Sequence, residues 1–104
     1  MHETSNETQN PQEIEQELRA LGGKYLDRRR QELEDLMKDG NGFEFIKWAT
    51  FGHRLKGSAK SYGFEDLGSL GSDLEVAATL KDITKIRPLV ENIQTFLFKF
   101  GDKF

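Results

Sequence analysis

A chain of 104 residues suffices for one domain with a modest core, and 36% hydrophobic against 32% charged residues is the balance of a globular chain with a strongly charged exterior. A formal charge of -3 offers no basic field to attract a nucleic-acid backbone or an anionic membrane, and the absence of cysteine excludes disulfides, thiolate metal sites and thiol catalysis. No apolar run approaches the ~18 residues a membrane span requires, and residues 1–10 lack the basic start and apolar stretch of a signal peptide, so a cytoplasmic location is expected.

Residues 1–10 are polar and bring too little apolar surface to offset the entropy of ordering, which predicts a flexible tail ahead of a domain over 11–104. Pro11 suits a first helical position, and Ile14, Leu18 and Leu21 form a short apolar stripe that Gly22-Gly23 interrupts. A helix from about Lys24 to Lys38 follows, with Leu26, Leu33, Leu36 and Met37 inward and Arg28-Arg29-Arg30 mostly outward. Asp39-Gly40-Asn41-Gly42 signals a turn. The next helix is expected from about Phe43 to Ser61, stopping near Gly63, which can take the left-handed conformation of a helix end. A third helix, about Phe64 to Leu80, carries Leu67, Leu70, Leu74, Ala77 and Ala78 on one side, while its Gly68 and Gly71 suggest close contact with a neighbouring helix. Asp82 is placed to cap a last helix with Ile83, Ile86, Val90, Ile93, Leu97 and Phe100 at helical spacing, where Pro88 predicts a kink or a late start. No valine- or isoleucine-rich alternation suggests a strand. These patterns predict an all-α chain, an antiparallel up-down-up-down four-helix bundle, with the Ile14–Leu21 stripe forming either an extra short N-terminal helix that caps the bundle or a surface that selects partners.

On a helical wheel with His53 at zero, Trp48, Phe51, Leu55, Ser58, Ala59 and Tyr62 fall between about 140° and 240°, an inward stripe that leaves the imidazole on the solvent side. Ile46, Gly57 and Lys60 lie within roughly 40° of His53, with Ala49, Thr50 and Lys56 alongside. A mid-helix glycine costs ~1 kcal/mol relative to alanine, and nothing on the core side requires one at Gly57; the benefit is room for another molecule beside the ring. An exposed imidazole is largely unprotonated and nucleophilic at neutral pH without a dedicated base, so it can attack a labile phosphoryl donor. Lys56 at i+3 and Lys60 at i+7 would offset the added negative charge, each exposed pairing contributing ~0.2–1 kcal/mol, too little to trap the group permanently. Taken singly, an exposed histidine, a glycine or two lysines are what any solvated helix face carries.

The string His53-Arg54-Leu55-Lys56-Gly57-Ser58-Ala59, followed by Gly63, Leu67, Leu74 and Glu75, resembles the H-x-L-K-G-x-A signature of histidine phosphotransfer (HPt) domains, in which a glycine, a leucine and then L-E follow. The resemblance covers about Lys24 to Phe104. It implies a phosphorelay carrier that holds a phosphoryl group on His53, with Lys56 positioning or neutralising it and Gly57 admitting the partner. That partner would be the receiver domain of a response regulator or hybrid sensor kinase, which supplies the acceptor aspartate and Mg²⁺. The chain itself would need no cofactor, would not phosphorylate itself from ATP and would work as a monomer, docking through Ile46, Ala49, Thr50, Gly57 and Phe64. Gly52 departs from the pattern, where family members often carry alanine.

Two other readings stand beside this one. A helical module that acts by docking alone, without phosphorylation, would keep the same fold. A helical hydrolase or metal enzyme lacks a ligand at i+3 or i+4 from His53, and His2 lies in the tail without converging ligands. The acidic residues Glu13, Glu15 and Glu17 suit a helix start. Phe96, Phe98, Phe100 and Phe104 read as core plus an apolar end, with an outward Phe98 as a second contact surface.

Overall fold

The computed structural model describes residues 11–38 and 44–101, which form four helices and, among the described residues, no strand. Helix α1 spans Pro11–Lys38, α2 Phe45–Ser58, α3 Glu65–Thr79 and α4 Ile83–Gly101, and one 3₁₀ turn, Ala59–Tyr62, follows α2. Each helix packs on its neighbours, α1 against α2 and α4, α2 against α3, and α3 against α4, closing an antiparallel four-helix bundle. The tail, the Asp39–Gly42 turn signal, Phe43, Phe104 and the side chain of Phe100 lie outside what the structure describes.

Leu26 and Leu33 of α1, Phe51 and Leu55 of α2, Leu67 and Leu74 of α3, and Ile86, Ile93 and Leu97 of α4 are all at most 1% exposed. These are i, i+3/i+4 and i+7 sets, so each helix turns one apolar stripe to a common axis. Among the described residues no polar or charged side chain is buried. The stripes therefore match the spacing read from the sequence, except at their edges: Met37 and Ile83 are exposed and Leu36 and Leu70 are half-buried.

Neither expected interruption breaks or delays a helix. Gly22-Gly23 does not break α1, which runs unbroken for 28 residues, so the Ile14 stripe is the first three turns of α1 and not a separate helix. Gly22 is buried where the Phe64 ring crosses it, a Cβ there lying 3.2 Å from that ring, so the residue answers a packing constraint. Pro88 sits inside α4, which begins at Ile83 without a late start. The cap expected there is present: the carboxylate of Asp82 accepts bonds from the Thr84 hydroxyl at 2.6 Å and from the backbone N–H groups of Lys85 and Thr84, and these hold it below the usual carboxylate range.

The one misplaced residue on the wheel lies just beyond the end of α2. After Ser58 the chain tightens to 3₁₀ geometry, advancing about 120° per residue instead of 100°. Tyr62, expected inward, is 44% exposed, its ring stacked on Tyr25 of α1 with centroids 4.5 Å apart. Gly63 ends the turn at φ 87°, and its N–H bonds the Lys60 carbonyl at 3.0 Å.

Candidate functional site

The site begins with how closely two helices approach. A Cβ on Gly52 would lie 2.6 Å from the Gly71 carbonyl oxygen and 2.7 Å from the Glu75 nitrogen, and one on Gly71 would lie 2.5 Å from the Leu55 Cβ. Only glycine at both positions lets the α2 and α3 backbones meet at this crossing. The residue that departs from the resembled pattern, Gly52, is thus a close-packing requirement of this bundle.

That approach carries Glu75 of α3 to the α2 face one residue beyond Gly52. The Nδ1 of His53 lies 2.9 Å from Glu75 Oε2, and the Lys56 ammonium donates to Glu75 Oε1 at 2.9 Å. Both oxygens of one carboxylate are therefore engaged, by two side chains three residues apart on the facing helix. The Lys56 bond first, and then the His53 bond, hold the Glu75 carboxyl below the usual carboxylate range against the opposing effect of desolvation. Glu75 was legible only as part of the resembled string; its contact with His53 crosses two helices, which no single-helix wheel displays.

The His53 side chain is 66% exposed. Among the described residues its ring makes one hydrogen bond, through Nδ1, and Nε2 makes none. A carboxylate at Nδ1 favours the tautomer with the proton on Nδ1, which leaves a lone pair on Nε2. On the solvent side the ring has space: a Cβ built on Gly57 meets nothing within 4 Å.

The remaining candidates divide into two groups. Ile46 is 83% exposed, Thr50 is exposed with its hydroxyl bonded to the Ile46 carbonyl at 2.8 Å, and Ala49 is half-buried, so all three share the His53 side of α2. Lys60 is exposed on the 3₁₀ turn, but its stem lies over Gly68 of α3, with Cγ 2.9 Å from where a Cβ would be. Phe64 does not join this face. It is half-buried in the core margin, stacked 6.3 Å from Tyr25 and edge-on at 6.0 Å to Phe96, because its ring seals the bundle end over Gly22.

The other flank of α2 is held by polar contacts to α1. Arg54 pairs with Glu32, which also faces Arg29 at 3.4 Å. The Ser58 hydroxyl donates to the Arg54 carbonyl at 2.6 Å and so accepts from the Tyr25 hydroxyl at 2.5 Å. Burial pushes the Tyr25 phenol up, with the Ser58 bond and the Arg29 charge opposing. The helix bearing His53 is thus fixed on both sides, by Glu75 from α3 and by Glu32 and Tyr25 from α1.

Among the described residues no cluster of three metal-ligating side chains occurs, and no helix is long and apolar enough to cross a membrane. Comparison with protein-family models, with curated proteins and with solved structures finds no match to this chain.

Proposed function

We propose that this chain is a phosphocarrier of the histidine phosphotransfer type, taking a phosphoryl group on Nε2 of His53 from an aspartyl phosphate of a receiver domain and returning it. One observation carries the reading: His53 stands 66% exposed with Nδ1 tied to Glu75 and Nε2 left open. The H-x-L-K-G-x-A string from His53 to Ala59 supports the choice of partner.

The chemistry follows from the arrangement. The Nε2 lone pair attacks phosphorus, the N–P bond forms as the P–O bond to the donor carboxylate breaks, and aspartate leaves with the electron pair. The imidazole keeps its Nδ1 proton, and the positive charge it acquires faces the Glu75 carboxylate. Lys56, about one turn along α2 and bonded to the same carboxylate as His53, supplies a cation beside the transferred group, and Gly57 leaves the approach unobstructed. Ile46, Thr50 and Ala49 offer the small apolar margin against which the receiver docks. Aspartate and Mg²⁺ belong to the receiver, so this chain contributes the nucleophile and its orientation and has no autokinase activity. The setting is a two-component phosphorelay in the cytoplasm.

The test is transfer from a radiolabelled phosphorylated receiver domain. The wild-type chain should acquire one acid-labile phosphoryl group and His53→Gln none. Equal labelling of His53→Gln would overturn the proposal. Unchanged signalling in cells carrying that variant would show that the chain acts by docking alone.

A further inference from the structure

We propose that two copies of this chain associate through antiparallel pairing of the N-terminal arms of α1, each arm lying in a cationic cleft of the other copy. Every residue from Pro11 to Leu21 is exposed, so roughly the first 16 Å of α1 has no cover among the described residues. Ile14, Leu18 and Leu21 are nevertheless apolar, at 44%, 62% and 52% exposure. They keep the four- and three-residue spacing of a coiled-coil seam up to Tyr25, where the same stripe enters the bundle's own core.

Charge selects the second copy as the occupant. The arm is acidic at its start, with Glu13, Glu15 and Glu17, and α1 then has no acidic residue from Leu18 to Leu26 while Arg19 and Lys24 intervene. Antiparallel pairing about a two-fold axis between Leu18 and Leu21 places Leu18 against Leu21 of the second copy, in both directions. The same register sets Glu17 beside Lys24, and Glu13 beside Arg28, of the second copy, all four on one flank of the seam by the 100° count. Ile14 then arrives at the level of Tyr25, where a cleft of about 200 Å³ is lined by Leu21, Lys24, Arg28 and Tyr62. An acidic arm with apolar knobs thus meets a basic cleft with an apolar rim. His53 stands further along the bundle, on the α2 turn whose Arg54 pairs with Glu32, so association leaves the ring accessible.

Two short arms bury less than the ~1,200 Å² of a standard stable interface, which sets the expected affinity in the micromolar range. Sedimentation of the full chain from about 5 to about 500 µM should show a concentration-dependent shift from 11.9 kDa to twice that mass, weakened in ~0.5 M salt by screening. Leu18→Glu, at an exposed position, should abolish the shift while leaving the thermal midpoint in place. Glu13→Lys with Glu17→Lys should sediment as a monomer, as should Lys24→Glu with Arg28→Glu, and an equimolar mixture of the two double variants should restore the heavier species. A single 11.9 kDa species for the wild-type chain throughout that range, or association unaffected by these variants, overturns the proposal.

Discussion

Replacing Gly52 and Gly57 separately by alanine puts the same methyl group on the same helix five residues apart, and the structure assigns the two changes opposite signs. Each gains up to ~1 kcal/mol of helix propensity. At Gly57 nothing lies within 4 Å of the new Cβ, so the gain survives and the midpoint rises. At Gly52 the new Cβ would stand 2.6 Å from the Gly71 oxygen and 2.7 Å from the Glu75 nitrogen, both backbone atoms that no rotamer change can move. Helices α2 and α3 must separate, and overpacking of this kind costs ~1–3 kcal/mol or more, which exceeds the propensity gain. The net expectation is a loss of ~1–2 kcal/mol, seen in urea titration as a lower midpoint at constant slope, or as a fall of about 4–8 °C in Tm per kcal/mol. Because Glu75 is carried by the helix that moves, the His53–Glu75 bond at 2.9 Å should weaken in the same variant. A Gly52→Ala protein as stable as wild type, or a Gly57→Ala protein less stable than Gly52→Ala, would refute the reasoning.

Further expectations follow from neighbouring contacts. Leu74→Ala removes a fully buried side chain from α3 and should cost ~2–5 kcal/mol in the same titration. Tyr25→Phe deletes the 2.5 Å bond to Ser58 and should cost ~0.5–1.5 kcal/mol while leaving the helical circular dichroism unchanged. The Glu75 carboxyl, lowered in the folded chain, stabilises the fold above the unfolded glutamate range and loses that contribution as pH falls through its folded value; Lys56→Met, which removes the first cause of the lowering, should raise the Glu75 midpoint in an NMR titration. Nitrogen-15 shifts of the neutral His53 ring should report the proton on Nδ1, and Glu75→Ala should reduce that population; identical shifts in both proteins would exclude Glu75 as the orienting group.

Periodicity alone placed His53 outward, because an inward stripe of Trp48, Phe51 and Leu55 leaves the opposite side of α2 no alternative. It fails at Tyr62, which lies beyond the last α-helical turn and stands 44% exposed, stacked on Tyr25 of α1. Gly22-Gly23 was read as a break because propensity speaks for an isolated helix, whereas packing of the remainder of α1 carries the helix through both residues. Gly52 and Gly71 lie on different helices, and nothing along the chain states that they meet. Gly68 and Gly71 did signal a close neighbour, yet which helix, and at what height, depends on the tertiary crossing. Glu75 belongs to the same class of information, a partner defined by distance in space and silent in any one-helix pattern.

Why the carboxylate comes from α3 can be argued from the alternatives on α2. A glutamate contacting His53 from its own helix would occupy a position three or four residues away, which here are Ala49, Thr50, Lys56 and Gly57. Any of them would stand on the outward side of α2 and share the space through which a reacting group must approach Nε2. Glu75 reaches the ring from the side instead, its second oxygen fixed by Lys56 at 2.9 Å, and the positions one turn before and after His53 are left to alanine and glycine. Such an arrangement needs two helices closer than side chains normally permit, and the facing glycines at 52 and 71 supply that approach. The glycine pair and the orientation of the histidine are thus one structural solution: exposing the nucleophile on one helix while orienting it from another requires the two backbones to touch.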